Sequence, residues 1–163
     1  MTHEVQMRSP IGVLTIEGNE DAVTGIELPG QASVDAPRSR DRDATEVPAA
    51  LAAAVAQLEE YFAGERTEFE LPLEVSGTPF QRQVWFALAE IPYGKTVSYA
   101  ELAAMVGRPR ASRAIGQANG SNPIPIVLPC HRVVASGGGI GGYGGGLTMK
   151  RRLLALEGAI WTD

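Results

Sequence analysis

The sequence is poor in the residues that most often build small sites. It has one cysteine, Cys130, and two histidines, His3 and His131, in 163 residues. One thiol cannot close an internal disulfide, and one Cys with two His cannot assemble a Cys/His zinc cluster. Nowhere do about 18 apolar residues run unbroken, and the N-terminus "MTHEVQMRSPIG" lacks a basic start followed by an apolar core. Neither a membrane span nor a secretory leader is expected, which leaves the cytoplasm as the default compartment. With 44% hydrophobic residues the chain can bury a sizeable core, in one body or split between two lobes. Cys130 is then either inert packing or a reactive thiol.

The net charge of −5 speaks against a nucleic-acid partner, because phosphate backbones are bound largely through Lys and Arg. The charge is unevenly spread. Residues 1–90 carry 6 basic and 16 acidic side chains, whereas residues 91–152 carry 8 basic side chains against Glu101 alone. Only the second half could meet DNA.

The pattern along the chain changes near residue 76. "HEVQMRS", "GVLTIEG" and "AVTGIEL" alternate apolar and polar residues between turn signals, which predicts a small antiparallel sheet. Residues 29–46, polar and Pro-containing, read as a loose loop. "PAALAAAVAQLEEYFAG" predicts a helix with Pro48 in its first turn, Leu51, Val55, Leu58 and Phe62 on the apolar face, and Gly64 as its stop. Residues 1–76 are thus expected to be an N-terminal α/β scaffold lobe.

Residues 77–163 carry denser signals. Thr78-Pro79 caps a helix with Val84, Trp85, Leu88 and Ala89 on its apolar face. Ser98 and Glu101 form a capping box, and Gly107 closes that second helix. After "GRPR" comes "ASRAIGQAN", so two short helices flank a Gly-containing turn, the arrangement of a helix-turn-helix. Small Ala111, Ser112, Ala114 and Gly116 surround a lone Arg113. A helix so slender can pack closely on another helix or enter a nucleic-acid groove.

In "GGGIGGYGGG", Gly137, Gly139 and Gly142 satisfy G-x-G-x-x-G, and Glu157 follows Gly137 by twenty residues. The context does not fit a dinucleotide site, since Tyr143 and three further glycines intervene before Thr148 can cap a helix, and no G-K-[ST] follows. The run reads as a flexible hairpin or wing.

Cys130 follows the apolar run "IPIVL", read as a strand, and precedes His131. A thiol of ordinary pKa is only slightly ionised at neutral pH and needs a proton acceptor or positive charge to act as a nucleophile. Neighbours on a strand face opposite ways, so contact between Cys130 and His131 requires a turn or a bridging water. Glu157, in "TMKRRLLALEG", is the best candidate to orient His131. A buried structural Cys and a satisfied His remain the alternative on these grounds.

"NPIPIVLPCHRVV", with "GGYGGG" and "KRRLLALEG" after it and "PYGKTVSYAELA" and "ASRAIG" before it, resembles the O6-alkylguanine-DNA alkyltransferases over about residues 78 to 158. The resemblance implies an α+β fold: an N-terminal small antiparallel sheet with a helix, then a C-terminal lobe (77–163) holding a winged helix-turn-helix and the alkyl acceptor. It implies irreversible, single-turnover transfer of the O6-alkyl group of guanine in double-stranded DNA to Cys130, with no cofactor and no metal. O4-alkylthymine is left open. His131 would take the thiol proton through a water, Glu157 would orient His131, and Asn122 would hold the supporting turn. Tyr99 would rotate the nucleotide at its 3′ phosphate and protonate the leaving O6, with Lys150 beside it. Arg113 would fill the vacated stack, with Ala114 and Gly116 on the same DNA-facing helix. Val133, Tyr143 and Gly144 would line the base pocket. The resemblance implies a monomer in solution and leaves cooperative loading on DNA open. A non-catalytic binder of alkylated DNA and a Cys-His hydrolase are the alternatives. The first would have no need of Cys130, and the second would turn over.

Overall fold

The computed structural model describes residues 2–29 and 47–161. The reading of 29–46 as a loop therefore lies, but for Pro29, outside the described residues. The chain divides into two compact units, Met1–Val75 and Ser76–Asp163. Among the described residues no helix is long and apolar enough to cross a membrane.

The first unit is an antiparallel meander, β1 (His3–Ser9), β2 (Gly12–Gly18) and β3 (Val23–Glu27), in the order β1-β2-β3. Pairing Met7 with Leu14 and Ile16 with Ile26 puts these buried side chains on the helix-covered face. The free edge of β3 is met by the chain near Leu73: Val23 N–H donates to Pro72 O at 2.9 Å and Glu74 N–H to Val23 O at 3.0 Å. Helix α1 (Ala49–Phe62) packs on β1 and β2. A Cβ on Gly18 would sit 2.7 Å from Leu51 Cδ2, so this glycine is what lets helix and sheet approach.

The buried face of α1 is Leu51, Ala54, Leu58 and Tyr61, not the expected Leu51, Val55, Leu58 and Phe62. Tyr61 and Phe62 are adjacent and cannot both turn inward. Tyr61 wins because its ring also meets Phe69, centroid to centroid at 5.6 Å.

The second unit begins with α2 (Pro79–Leu88), whose Thr78 and Gln81 form a reciprocal capping box. Its buried face is Val84, Trp85, Ala87 and Leu88, and Ala89, expected there, is exposed. Ala89 is already the C-cap, where the helical periodicity ends. Trp85 Nε1–H donates to Ala118 O at 2.7 Å and pins α2 to the helix that carries Ala118. The helix pair is α3 (Tyr99–Met105), capped by Ser98 and Glu101, and α4 (Ser112–Gly120), with Gly107 at φ 74° in the turn between them. Ile115, Ala118 and Asn119 face inward, whereas Ser112, Arg113 and Ala114 are exposed. Two-residue strands β4 (Val97–Ser98) and β5 (Val133–Val134) pair in parallel, bringing the start of α3 against the segment after Cys130. The chain closes on α5 (Leu147–Leu156).

Two local expectations fail for identifiable reasons. The run Ile124–Leu128 is not a strand: Leu128 N–H donates back to Ile124 O at 2.9 Å, and Ile126 adopts φ 74°. Pro123, Pro125 and Pro129 have no N–H to give a ladder, so this apolar run folds as a compact buried loop. The glycine run is not loose throughout. After a tight turn, with Ala135 N–H donating to Gly139 O at 2.7 Å, Ile140 is buried with Leu154 and Ala159. Gly146, at φ 98°, caps α5, and Thr148 lies inside the helix.

Candidate active site

Pro129, at φ −80° and ψ 70°, makes an inverse γ-turn in which Cys130 N–H donates to Leu128 O at 2.8 Å. Cys130–Arg132 then form one turn of 3₁₀ helix. The chain therefore turns where a strand would have separated neighbouring side chains. Cys130 is 7% exposed and His131 fully buried.

Asn122 holds the loop from within: its Oδ1 accepts from Ile124 N–H at 2.9 Å, and its Nδ2 donates to Leu128 O at 2.6 Å. The same amide acts on the Cys130 sulfur. Burial pushes the thiol up to about 11, opposed by the Asn122 hydrogen bond, the Lys150 charge and the N–H groups of Cys130 and His131. In this state the thiol is protonated at neutral pH. Reaction thus requires a base or a further donor brought by substrate.

His131 Nε2 lies 2.6 Å from Glu157 Oε2, with both side chains fully buried. Burial lowers the His131 pKa. The Glu157 hydrogen bond and charge oppose this, and the charges of Arg132 and Lys150 reinforce it. An ionised carboxylate only accepts, so Nε2 bears the proton and the lone pair of a neutral ring falls on Nδ1. Nδ1 is buried without a hydrogen-bond partner among the described residues.

Lys150, on α5 and fully buried, donates to Val133 O at 2.6 Å and to Gly142 O at 2.9 Å. Burial brings its pKa down to about 8, with Cys130 acting in the opposite direction. Through these two bonds Lys150 ties the glycine run to β5. Tyr99, first residue of α3, is half-buried near the same run: a Cβ on Gly141 would lie 3.2 Å from its hydroxyl. Its pKa is raised by burial, against a hydrogen bond with Gly142 and together with the charge of Cys130. The Tyr143 hydroxyl is buried without a partner among the described residues, and burial, then Cys130, then Glu157, raise its pKa well above the usual 10.0. Gly144 is exposed in the turn closed by Gly146 N–H to Tyr143 O.

Cys130, His131, Glu157, Asn122, Lys150 and Val133 thus gather around the Cys130 turn, held by the His131–Glu157, Lys150–Val133 and Asn122–Leu128 hydrogen bonds, with Tyr99 and Tyr143 at the border. Arg113, Ala114 and Gly116 lie outside it on α4. Gly116 would meet nothing within 4 Å if given a Cβ, so that face of the helix is open. Sequence reasoning missed Arg132, Tyr93 and Gly94. The Arg132 guanidinium makes two bonds to Glu157, and the Tyr93–Gly94 turn touches the last residues of α5. The available signal was the Arg of "PCHRV" and the "PYG" turn.

A buried thiol, the imidazole next to it in the chain and a buried carboxylate thus lie in the unit that carries the helix pair. The 6-O-methylguanine DNA methyltransferase family matches on both units: its ribonuclease-like domain over residues 3–75 and its DNA binding domain over residues 79–159. The methylated-DNA–protein-cysteine methyltransferase of Mycolicibacterium paratuberculosis is 52% identical over 150 residues, 91% of this chain and 88% of that protein. The constitutive enzyme of that name from Bacillus subtilis is 45% identical, over 96% of each chain. A crystal structure of Mycobacterium tuberculosis OGT in complex with DNA matches at a TM-score of 0.85 and 47% identity, over 96% of this chain and 92% of that one. The chain belongs to the 6-O-methylguanine DNA methyltransferase family, whose members repair DNA by direct alkyl transfer to their own cysteine.

Proposed function

We propose that this chain removes the O6-alkyl group from guanine in duplex DNA and keeps it on Cys130. The observation that carries the reading is the buried Cys130–His131–Glu157 constellation, with its one unpartnered imidazole nitrogen. The thiol proton passes through a water to His131 Nδ1, and Glu157 steadies the imidazolium that results. The thiolate attacks the alkyl carbon as the bond from that carbon to O6 breaks. The guanine oxygen leaves with the bonding electrons and takes a proton from Tyr99, whose phenol, raised by burial, is protonated at neutral pH. Lys150 anchors the pocket wall at Val133 and Gly142.

A base inside a duplex is out of reach of a buried thiol, so the nucleotide must be flipped at a cost of a few kcal/mol. Exposed Arg113 projects from α4 to fill the gap, while Ala114 and Gly116 allow the helix to approach closely. Tyr99 crowds the 3′ phosphate, Tyr143 packs on the base, and the Gly144 N–H faces O6. The Val133 carbonyl keeps one lone pair for the base amino group beside its bond to Lys150. The protein acts as a cytoplasmic monomer and uses neither metal nor cofactor for the transfer.

A thioether sulfur is a poor leaving group and the chain has no second thiol, so each molecule reacts once. Intact-mass measurement after incubation with a duplex carrying O6-methylguanine tests this. One methyl per chain, mapped to Cys130, is the expected result. Multiple turnovers would instead mark a hydrolase, and no uptake a passive binder.

A further inference from the structure

Arg132 sits next to the relay and is 5% exposed. Its Nε donates to Glu157 Oε1 at 2.8 Å, its Nη2 to Glu157 Oε2 at 3.1 Å and its Nη1 to Ile91 O at 2.6 Å. Its central carbon lies 5.7 Å from the centre of the Tyr93 ring. Glu157 Oε1 also accepts from Gly94 N–H at 3.3 Å, and Oε2 from His131 Nε2 at 2.6 Å. Each carboxylate oxygen is therefore shared between a guanidinium nitrogen and a second donor.

A permanent cation beside a base that must accept a proton looks counterproductive, because it opposes the imidazolium. The geometry shows what offsets that. A buried carboxylate held only by an imidazole could rotate about its terminal torsion, or take up the proton itself. Bidentate contact from a guanidinium fixes the carboxylate plane and favours its ionised form. With the plane fixed and both oxygens accepting, the His131 proton has one place to be.

We infer that Arg132 is a positioning residue for alkyl transfer: its two-pronged hold on Glu157 keeps that carboxylate an acceptor and thereby locks the His131 proton on Nε2 and leaves the lone pair on the unpartnered Nδ1 to accept the thiol proton. The inference rests on the relay proposed above. Lys150 also acts on His131, and Glu157 is coupled to Tyr93 on the Pro92–Gly94 turn and to Tyr143 on the glycine run.

The chain has only two histidines, so in a His3→Gln background the ring-nitrogen NMR spectrum reports His131 alone. With Arg132 in place the protein is expected to show a single tautomer, protonated on Nε2. Arg132→Lys retains a charge but cannot make the fork, and Arg132→Gln loses both. Both are expected to give mixed tautomers and transfer to free O6-benzylguanine about 10 to 100 times slower, the scale of lost outer-shell partners at organised sites. Arg132→Gln should also move the acidic limb of the rate profile to higher pH, because a cation that disfavours imidazolium is gone. Arg132→Lys should hold the limb near its wild-type position.

A merely structural Arg132 would lower the melting temperature while leaving the tautomer and the pH limb in place. Folded variants with one Nε2–H tautomer and rates within about threefold of wild type would overturn the inference. So would a wild-type spectrum with the proton on Nδ1, even if both variants failed to fold. His131→Phe separates the two readings: full activity there removes the relay itself, whereas loss there with unaltered Arg132 variants removes only the role of Arg132.

Discussion

The two units are built on different terms. In Met1–Val75 the only buried polar side chain among the described residues is Thr15, and the core is Leu14, Ile16, Val23, Ile26, Leu51, Leu58 and Tyr61. In Ser76–Asp163 the buried set includes Asn119, His131, Arg132, Lys150 and Glu157. Apolar burial stabilises at roughly 25 cal/mol per Å², while buried ion pairs often do no better than a hydrophobic replacement of equal volume. Stability alone does not explain why the second unit keeps ionisable groups inside. Each of them but Asn119 belongs to the cluster that the proposed chemistry uses.

The contrast can be tested by substitution, and the largest effect belongs to the second unit. Cys130→Ala should abolish transfer, with no mass gain on any substrate, yet bind duplex DNA within about twofold of wild type in a titration. Any residual uptake would place the acceptor elsewhere. Glu157→Gln should slow transfer about 100-fold or more to duplex and free O6-benzylguanine alike. It should also lower the unfolding free energy by about 3–5 kcal/mol, because Arg132 is left buried without its counter-ion. Denaturant melts that differ from wild type by less than about 1 kcal/mol would erase the contrast. In the first unit, Leu58→Ala should cost about 2–5 kcal/mol by leaving a cavity, while the transfer rate of the folded fraction stays unchanged. A matching loss of rate would mean that this unit shares in the chemistry.

The next effect is one of pH. The folded chain holds the Cys130 proton more tightly than the unfolded chain, since burial raises the thiol from 9.0 to about 11. Its contribution to stability is complete below about pH 9 and is lost as pH climbs through about 11, amounting to about 2–3 kcal/mol. Lys150, lowered to about 8, works in the opposite sense over part of this range. The measurement is therefore the difference between wild-type and Cys130→Ala stability curves, which should narrow between pH 9 and 11. Parallel curves would refute the burial of an ionisable thiol. The smallest effect concerns exposed Arg113. Arg113→Ala should slow repair of duplex about tenfold but reaction with free base by less than about twofold. Equal losses would make Arg113 a packing residue.

Much of the scaffold was legible because it repeats. Alternation over His3–Ser9 and Gly12–Gly18 predicts strands, and the pairs Thr78–Gln81 and Ser98–Glu101 announce helix starts. Periodicity does not fix the rotation of a helix when neighbouring positions are both apolar. Ala54 with Tyr61 and Val55 with Phe62 were equally good stripes, and Phe69 decided between them. The loop at Ile124–Leu128 reads as a strand because its apolar character outweighs its prolines. In the site, motif points to Cys130, His131 and Glu157, and the structure joins the last two. Arg132 was counted only as a positive charge, because a sequence does not say which way a guanidinium points or that its partner lies 25 residues downstream.

That separation has a consequence in time. The His131–Glu157 bond spans 26 residues, and ribosomes add roughly 5–20 residues per second. For roughly 1–5 s a growing chain carries its thiol and imidazole before the carboxylate that holds the imidazole has been made. During that interval Cys130 is an unassisted thiol on an unfinished polypeptide. The imidazole can find its carboxylate only once the residue that follows α5 has been made and folded back onto the turn made first.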